Sequence, residues 1–222
     1  MTFTLTAELL IILLQTVKVL IFWIIFKLRI KVALSLNRLI RLYDLTISLF
    51  LVFIFSPILL IIYFICFLES GKPLFVQKRL GKDKKIFNLF KFRSMHFKAP
   101  SIASHLVDKK LITRFGRIIR WLKLDELPQL FNVIKGEMSL VGPRPCLTNQ
   151  EELIFYRNKY NIFDVRPGIT GLAQIKGIDM SEPEKLTQVD SYMINNLNSI
   201  NYFKYLILTL FGKGRGDKII DK

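Results

Sequence analysis

The sequence has few of the residues that mark several large classes of protein. Its 222 residues include only two cysteines, Cys66 and Cys146, which cannot build a disulfide framework. Only 17 residues are acidic against 33 lysines and arginines, so the formal net charge is +16. Hydrophobic residues nevertheless make up 51% of the chain. A chain that is both basic and apolar is neither an ordinary soluble enzyme nor a disordered basic tail protein.

Several catalytic and binding signatures are also missing. There is no Gly-x-x-x-x-Gly-Lys-Ser/Thr loop, which excludes a P-loop ATPase, and no Asp-x-Asp, the usual motif of metal-dependent nucleotide-sugar glycosyltransferases. Neither His96 nor His105 has an aspartate five residues later, so the membrane acyltransferase signature is absent. No Cys/His cluster indicates zinc. No nucleic-acid-binding module is recognisable, so we expect no nucleic-acid partner.

One segment is apolar enough to enter a membrane. Residues 45–68 form a run of 24 without Asp, Glu, Lys or Arg. A helix of that length rises by about 1.5 Å per residue and can cross a bilayer core of roughly 30 Å. Ser56-Pro57 lies at its centre, and proline removes a backbone donor and clashes with the preceding turn. We expect a kink there, with the Ser56 hydroxyl satisfying one freed backbone group.

The charges that flank this segment bear on its topology. Arg38 and Arg41 precede it, and Lys72, Lys78 and Arg79 follow it. The positive-inside rule places both flanks in the cytoplasm, which a helix that dips in and returns satisfies. A kinked helix that crosses once is the alternative, and periodicity and charge alone favour it because such spans are common.

Residues 1–44 combine an apolar stretch with a basic one. Residues 9–26 are apolar but contain Gln15 and Lys18, which makes them marginal for a membrane span. A basic amphipathic stretch follows, with Lys27, Lys31, Arg38 and Arg41 on one helical face. This pattern is typical of a helix in the headgroup layer of an anionic membrane, and an ordinary surface helix is the alternative.

The positive charge is concentrated directly after the apolar segment. Residues 71–123 contain 15 lysines and arginines and only two acidic residues, Asp83 and Asp108. A polyanion therefore meets the protein beside the bilayer, either as anionic lipid headgroups or as a phosphorylated substrate.

The basic block also has the pattern of regular structure. Residues 73–79 and 85–92 read as two strands around a turn at 81–83, which predicts a hairpin. Residues 96–110 are polar and predict a mobile loop. A helix is predicted from Thr113 onward.

An acidic pair, Asp125-Glu126, comes just after the basic block. One interpretation is structural, with Asp125 as the N-cap of a helix over residues 126–134. The other is catalytic: one carboxylate holds Mg²⁺, which prefers oxygen ligands and substrate phosphates, and the other attacks phosphorus. Arg120 would then offer its charge to the phosphoryl group.

Two later segments present arginine from rigid backbone. Arg144 stands between two prolines in Val-Gly-Pro-Arg-Pro, and Arg166 begins the turn Arg-Pro-Gly-Ile-Thr-Gly. One such loop is weak evidence of function. Several arginines around one acidic pair indicate a site for phosphates.

Taken together, these motifs resemble the bacterial sugar transferases, the monotopic polyprenyl-phosphate sugar-1-phosphate transferases. The resemblance covers residues 37–211. It rests on the following segments: Arg41-x-x-Asp44, Ser56-Pro57, Lys91-Phe-Arg-Ser-Met95, Thr113-Arg-Phe-Gly-Arg117, Leu124-Asp-Glu-Leu-Pro-Gln-Leu130, Asn132-Val-Ile-Lys-Gly136, Met138-Ser-Leu-Val-Gly-Pro-Arg-Pro145 and Arg166-Pro-Gly-Ile-Thr-Gly-Leu-Ala-Gln174.

The resemblance implies a mainly helical α+β fold with a re-entrant membrane helix hairpin broken at Ser56-Pro57 and interfacial helices. We therefore expect a membrane-spanning or interfacial extension, a re-entrant helix region, a cytoplasmic catalytic domain with a β-hairpin, and a flexible tail. Their bounds are 1–36, 37–70, 71–211 and 212–222. The expected location is the bacterial cytoplasmic membrane, with the active site on the cytoplasmic face.

The resemblance also implies a reaction. A sugar-1-phosphate moves from a UDP-sugar to undecaprenyl phosphate, and UMP leaves. The product enters the synthesis of a surface glycan, which the sequence leaves open among capsule, exopolysaccharide, lipopolysaccharide and glycoprotein. Asp125 corresponds to a nucleophile that forms a phosphosugar-aspartate, and Glu126 to the Mg²⁺ ligand. Four basic residues correspond to substrate contacts: Arg120, Arg144, Lys91 and Arg166.

Some points depart from the family or stay open. Glu137 stands where the family often has Asp, and Ile178 stands where an Arg often follows the glycine. Asp190 and Tyr192 match family positions of less certain role. A homo-oligomer or a complex with downstream glycosyltransferases is compatible with the sequence. The competing hypothesis is a non-catalytic protein that binds anionic lipids at the membrane surface.

Overall fold

The computed structural model describes residues 2–96 and 111–212, with side chains from Leu36 onward. The predicted mobile loop beyond His96 and the predicted tail beyond Gly212 lie outside the described residues. The chain divides into two compact units, Met1–Arg41 and Leu42–Lys222, and the side-chain contacts given below belong to the second.

The apolar segment belongs to one long helix, α1 (Thr2–Ser70). Its part Leu36–Ser70 is long and apolar enough to cross a membrane. Phe53 and Leu68 are 80% and 83% exposed to the surroundings, as expected of side chains that contact lipid.

Helical backbone continues through Ser56-Pro57. Pro57 has no N–H for the carbonyl of Phe53, four residues earlier, and the Ser56 hydroxyl donates to that carbonyl at 2.8 Å instead. The expected role of Ser56 is therefore confirmed. The return of the chain at this point stays a prediction.

The predicted hairpin follows α1. Strands β1 (Leu74–Leu80) and β2 (Ile86–Phe92) are antiparallel, with Gln77 opposite Leu89. A short 3-10 turn at Lys82–Lys84 joins them, in which Asp83 has a positive φ of 54°. The two strands and the turn are confirmed.

Helix α2 (Arg114–Trp121) begins where the sequence predicts, because the Thr113 hydroxyl accepts from the N–H of Gly116 at 2.9 Å. The same hydroxyl donates to Glu69 of α1 at 2.8 Å. The start of α2 is thereby joined to the end of the apolar helix α1.

The expectation that Asp125 caps a helix over residues 126–134 is wrong. Asp125 lies inside a 3-10 turn, Leu124–Glu126, and helix α3 (Gln129–Lys135) begins later, with Pro128 at its N-cap. The cause is Lys123, whose left-handed backbone (φ 58°) separates the acidic pair from α2 and starts a new turn.

The rest of the chain packs helices around a second small sheet. Strands β3 (Ser139–Val141) and β4 (Gly168–Thr170) are parallel neighbours. The remaining helices are α4 (Glu151–Lys159), α5 (Leu172–Ile175), α6 (Pro183–Asn195) and α7 (Ser199–Leu210), with a 3-10 turn at Ile162–Asp164. The mainly helical α+β class is confirmed.

Two apolar clusters hold these elements. One contains Cys146, Leu153, Phe163, Ala173 and Leu186, and joins α4, α5 and α6. The other contains Ile62, Cys66, Phe92 and Ile119, and joins α1 to β2 and α2. The second cluster packs the end of α1 against the segment that leads to the acidic pair.

Asp44 fixes α1 to the domain at another point. Its Oδ1 accepts from the Ser139 hydroxyl at 2.9 Å, the Leu140 N–H at 2.9 Å and the Tyr202 hydroxyl at 2.8 Å, and the residue is 1% exposed. Burial, with the nearby Asp44 carboxylate, raises the pKa of Tyr202, so the hydroxyl keeps its proton and donates. A buried carboxylate with three donors is well satisfied.

Candidate active site

The acidic pair is positioned by the turn that follows helix α2. Leu124 packs against the cluster of α1, β2 and α2, which anchors the turn at its first residue. Asp125 is buried, with 7% of its surface exposed, and the Glu126 side chain is 17% exposed. Two adjacent carboxylates therefore lie on a tight turn beside the end of the apolar helix α1.

Glu126 is the point where separate elements meet. Its Oε1 accepts from Lys91 Nζ of strand β2 at 2.6 Å. The same oxygen lies 3.6 Å from Arg144 Nη2 of the Pro-Arg-Pro segment. Residues that are 35 positions apart in sequence thus form a close, charge-assisted pair, with a second cation at the edge.

A small cavity opens at this point. It is lined by Arg79, Leu89, Lys91, Glu126, Gln129, Arg144 and Pro145. Three cationic side chains and one carboxylate border it, which favours an anionic ligand.

The Arg144 loop is held by an unusually close approach of two backbones. The N–H of Gly142 donates to Thr170 O, and that of Gly168 to Pro143 O, both at 2.8 Å. A Cβ on Gly168 would lie 2.0 Å from the Gly142 nitrogen, so neither glycine has room for a side chain. The two arginine-bearing motifs of the sequence are therefore parts of one packed unit.

The predicted site residues divide into two groups. Lys91, Glu126 and Arg144 come together at the cavity. Arg166 donates through Nε to Gly136 O at 2.8 Å, at the C-terminal end of α3, a contact that holds the helix end.

Arg120 and the Ser56-Pro57 pair complete the predicted set. Arg120 lies half-buried in the last turn of α2, on the chain that enters the acidic turn. Ser56 and Pro57 lie within α1, in the part that is apolar enough to cross a membrane. The uncertain Asp190 is buried in an ion pair with Arg157, at 3.3 Å, whereas Tyr192 is 61% exposed.

Burial raises the pKa of Asp190 to about 6, and the Arg157 guanidinium opposes that rise. The pair joins α4 to α6, since both side chains are almost fully enclosed. Asp190 therefore has a packing role in this structure. Ile178, where the family often has Arg, packs against the core cluster of α4 to α6.

Several supporting residues were not predicted from the sequence. Asn132 bridges α3 to β2, accepting from the Phe90 N–H at 3.1 Å and donating to Asn88 O at 2.7 Å. It also donates to Glu137 at 2.6 Å. Glu137, which stands where the family often has Asp, therefore helps to hold Asn132. Gln77 and Arg79, buried on β1, alternate as inward-facing strand residues do, and that spacing was the available signal.

The donor set for a metal is small. Among the described residues no group of three or more His, Cys, Asp or Glu side chains is close enough to hold an ion. Mg²⁺ is commonly bound by one or two carboxylates together with substrate phosphates and water. The acidic pair fits that mode of binding.

Comparison with known proteins identifies the family. Residues 35–214 match the model of the bacterial sugar transferase family, and the chain belongs to that family. The resemblance inferred from the motifs is thereby confirmed.

Individual relatives share most of the described chain. An uncharacterised sugar transferase, EpsL, of Bacillus subtilis (strain 168) is 41% identical over 171 residues, which cover 77% of this chain and 84% of that protein. The UDP-glucose:undecaprenyl-phosphate glucose-1-phosphate transferase of Caulobacter vibrioides is 40% identical over 153 residues, covering 67% of this chain and 57% of that protein.

The undecaprenyl-phosphate galactose phosphotransferase of Salmonella typhimurium is 33% identical over 186 residues. These cover 76% of this chain but only 39% of that protein. The chain thus spans about two fifths of this longer relative, and the relatives' activities are carried over only as a proposal.

Proposed function

We propose that the protein transfers a sugar-1-phosphate from a UDP-sugar to undecaprenyl phosphate. The observation that carries this proposal is the acidic turn Asp125-Glu126 in contact with Lys91 and beside Arg144, at the end of an apolar helix. One substrate would be a soluble diphosphate and the other a lipid phosphate. A cationic cavity next to a membrane helix suits both.

The chemistry would proceed in two displacements. An Asp125 carboxylate oxygen attacks the phosphorus that bears the sugar, the bond from that phosphorus to the bridging oxygen breaks, and UMP leaves. A phosphate oxygen of undecaprenyl phosphate then attacks the same phosphorus. Its bond to Asp125 breaks, which releases undecaprenyl-diphosphate-sugar and the free carboxylate.

The basic residues would bind and orient the phosphates. Lys91 and Arg144 border the cavity and neutralise charge that accumulates there during transfer. Arg120 is proposed as a further phosphate contact because it precedes the acidic turn by a few residues. For Arg166, the contact with Gly136 supports a role in holding the site's framework.

We propose that Glu126 holds Mg²⁺ together with the donor's phosphates. A bound Mg²⁺ would supply charge neutralisation to the diphosphate. Lys91 now donates to Glu126, and it would compete with Mg²⁺ for the carboxylate oxygens of that residue. Lys91 would therefore turn toward the donor's phosphates.

We also propose a monotopic arrangement, with α1 returning to the cytoplasmic face of the bacterial inner membrane at Ser56-Pro57. Pro57 and the Ser56 hydroxyl bond to Phe53 support it, since such hydroxyl bonds bend helices. Helix α7 would lie at the interface. Its exposed apolar residues recur at helical spacing: Ile200, Phe203, Ile207 and Leu210.

The names of the relatives mention both glucose and galactose, so the sugar is a matter for measurement. The glycan to which the product contributes is proposed to be a surface polysaccharide. Its downstream glycosyltransferases are the expected partners, and self-association is the other expected contact.

The central experiment incubates purified protein with Mg²⁺, undecaprenyl phosphate and a panel of UDP-sugars, and measures UMP release. Asp125→Asn should lower turnover by about a thousandfold or more, because it removes the nucleophile at nearly constant shape. Asp164→Asn is a matched control on an exposed aspartate and should retain activity. A radiolabelled donor sugar should label the wild-type protein covalently but not Asp125→Asn.

Full turnover by Asp125→Asn would contradict the assigned nucleophile. No UMP from any UDP-sugar, together with liposome binding that tolerates Glu126→Gln, would support the lipid-binding alternative. The two outcomes separate an error in one residue from an error in the function.

A further inference from the structure

Two polar side chains that the proposed chemistry does not use lie buried beside the cavity. Gln77 and Arg79 are 7% and 5% exposed. They are two positions apart on strand β1 and therefore share its inner face. Burying a guanidinium is costly unless its donors are satisfied, so its partners indicate its role.

The partners of Arg79 lie on the Pro-Arg-Pro segment and on its own strand. Its Nη1 donates to the carbonyl of Pro145 at 2.9 Å. Its Nε and Nη2 donate to Gln77 Oε1, at 3.1 and 2.6 Å. One planar group thus spans strand β1 and the residue that follows Arg144.

A second bond runs in parallel. The N–H of Leu80 donates to Cys146 O at 3.0 Å. Strand β1 therefore binds the two carbonyls that follow Arg144. The Arg79 side chain binds that of Pro145, and the Leu80 backbone binds that of Cys146.

The other end of the same segment is fixed independently. The N–H of Gly142 donates to Thr170 O at 2.8 Å, and Gly142 packs against Gly168 without room for a Cβ. Arg144 thus lies between two anchors, Gly142 on one side and Pro145 on the other. Of the two, the Pro145 anchor is the one made by a residue that lines the cavity, namely Arg79.

We propose that Arg79 is a positioning residue for the transfer reaction, acting through the Pro145 carbonyl to hold Arg144 at Glu126. Gln77 orients Arg79 by accepting from two of its nitrogens. The inference rests on the proposed function, since it takes Arg144 as a contact for the donor's phosphates. It adds a residue that would act on substrate binding without being a contact itself.

The test is a double-mutant cycle on Arg79→Met and Arg144→Met. The measurements are KM and kcat for UMP release with whichever of UDP-glucose and UDP-galactose the wild type uses, and the affinity for UDP by calorimetry. Arg79→Met should raise KM about tenfold, with a smaller change in kcat. In the Arg144→Met background, Arg79→Met should add less than about a twofold change, because its effect passes through Arg144.

Conservative variants sharpen the result. Arg79→Lys should recover only part of the loss, because an ammonium can donate to Pro145 O but lacks the fork that also binds Gln77. Gln77→Met should shift KM in the same direction by less. Lys78→Met, on the exposed face of the same strand, is the matched control and should behave as wild type.

Losses that multiply in the double variant would overturn the proposal and make Arg79 an independent substrate contact. A lowered Tm and kcat with unchanged KM would also overturn it, because a merely structural role predicts that pattern. No UMP from the wild type would instead contradict the proposed function, and the cycle on UDP affinity would still report on Arg79. Wild-type protein that binds no UDP and releases no UMP would overturn both.

Discussion

Glu126 is the residue that links the cationic side chains of the site. Its Oε1 is shared by Lys91 at 2.6 Å and Arg144 at 3.6 Å, so a single carboxylate oxygen organises two cations. Asp125 beside it is more deeply buried. The 3-10 turn thus encloses Asp125, the proposed nucleophile, and directs Glu126 toward the cations.

Replacing Glu126 by glutamine should lower kcat by about a hundredfold, because a charged group that organises the site is lost. KM for the UDP-sugar should not rise, since Lys91 and Arg144 keep their charge and gain freedom to bind phosphate. Steady-state UMP release checks both values, and the dependence on Mg²⁺ should weaken in the same variant.

Glu182→Gln is the control, because Glu182 forms an exposed ion pair with Lys185 and such pairs contribute little. A Glu126→Gln enzyme with wild-type kcat and the same Mg²⁺ requirement would contradict the assignment of Glu126.

The Arg157–Asp190 pair makes a different residue-scale prediction. Both side chains are at most 2% exposed, so Asp190→Leu alone should cost about 3–5 kcal/mol by leaving a buried charge without its partner. Arg157→Met combined with Asp190→Leu should restore most of that loss. Thermal unfolding in detergent measures both, and a double variant as unstable as Asp190→Leu would contradict the expectation.

The same pair should give a pH dependence of definite sign. The pKa of Asp190 is raised to about 6, so the folded state binds a proton that the unfolded state releases nearer pH 4. Stability contributed by this group is therefore present below about pH 4 and lost as pH rises through 6. The Tm difference between wild type and the double variant should shift in favour of wild type as pH falls through this range.

At the scale of elements, the contact of β3 with β4 determines where Arg144 stands. Gly168→Ala would place a Cβ 2.0 Å from the Gly142 nitrogen, and backbone cannot yield as a flexible side chain does. We expect a loss of about 3 kcal/mol or more in stability, and lower activity from displacement of the loop.

Gly177→Ala is the matched comparison. Gly177 has a φ of +70° but open space around its Cβ position, so only the left-handed backbone is penalised, by about 1–2 kcal/mol. Thermal unfolding and UMP release of the two variants distinguish crowding from backbone strain. Equal effects would show that the close approach does not matter.

How far the sequence predicts these elements depends on the range of the interactions. The hairpin and the start of α2 follow from local signals, namely alternating residues around a turn and a threonine cap. The turn at Asp125 does not, because the left-handed Lys123 has no marker in the sequence and an aspartate before a proline resembles an ordinary cap. Local propensity cannot decide between a cap and a buried 3-10 turn.

The candidate site shows the same limit. The motifs predict which residues matter, and Lys91, Glu126 and Arg144 do meet. The partners that place them cannot be read locally, since Arg79 reaches Pro145 across 66 positions and Tyr202 reaches Asp44 across 158. Buried polar residues in long-range pairs are fixed by tertiary packing, which one sequence does not display.

At the scale of the whole molecule, the apolar and the basic parts of the sequence form neighbouring parts of the structure. Residues of α1 expose large apolar side chains, and the cationic cavity lies in the domain that packs on the end of the same helix. Thr113 and Asp44 bind α1 to α2 and to α7, respectively. The proposed reaction with a lipid substrate needs this coupling, because the phosphate of an embedded lipid stays close to the membrane surface.

The topology of α1 can be measured by thiol labelling. Leu42→Cys and Lys72→Cys flank the apolar segment and are both at exposed positions. If the helix returns at Ser56-Pro57, both should react with a charged, membrane-impermeant thiol reagent from the cytoplasmic side of inverted vesicles. Phe53→Cys, 80% exposed near the proline, should be shielded by lipid and react only after detergent is added. The wild type is the blank, because Cys66 and Cys146 are buried.

A helix that crosses once would place positions 42 and 72 on opposite faces, so one of them would react only in right-side-out vesicles. Pro57→Ala tests the cause in the same assay. It restores the missing N–H to the Phe53 carbonyl, makes the Ser56 hydroxyl bond redundant and removes the steric reason for the bend. Without the bend, the backbone of Pro57→Ala no longer prevents a single crossing, so we expect some molecules to label at position 42 from the opposite side. Only a fraction should do so, because the basic residues on both flanks still favour the cytoplasmic side.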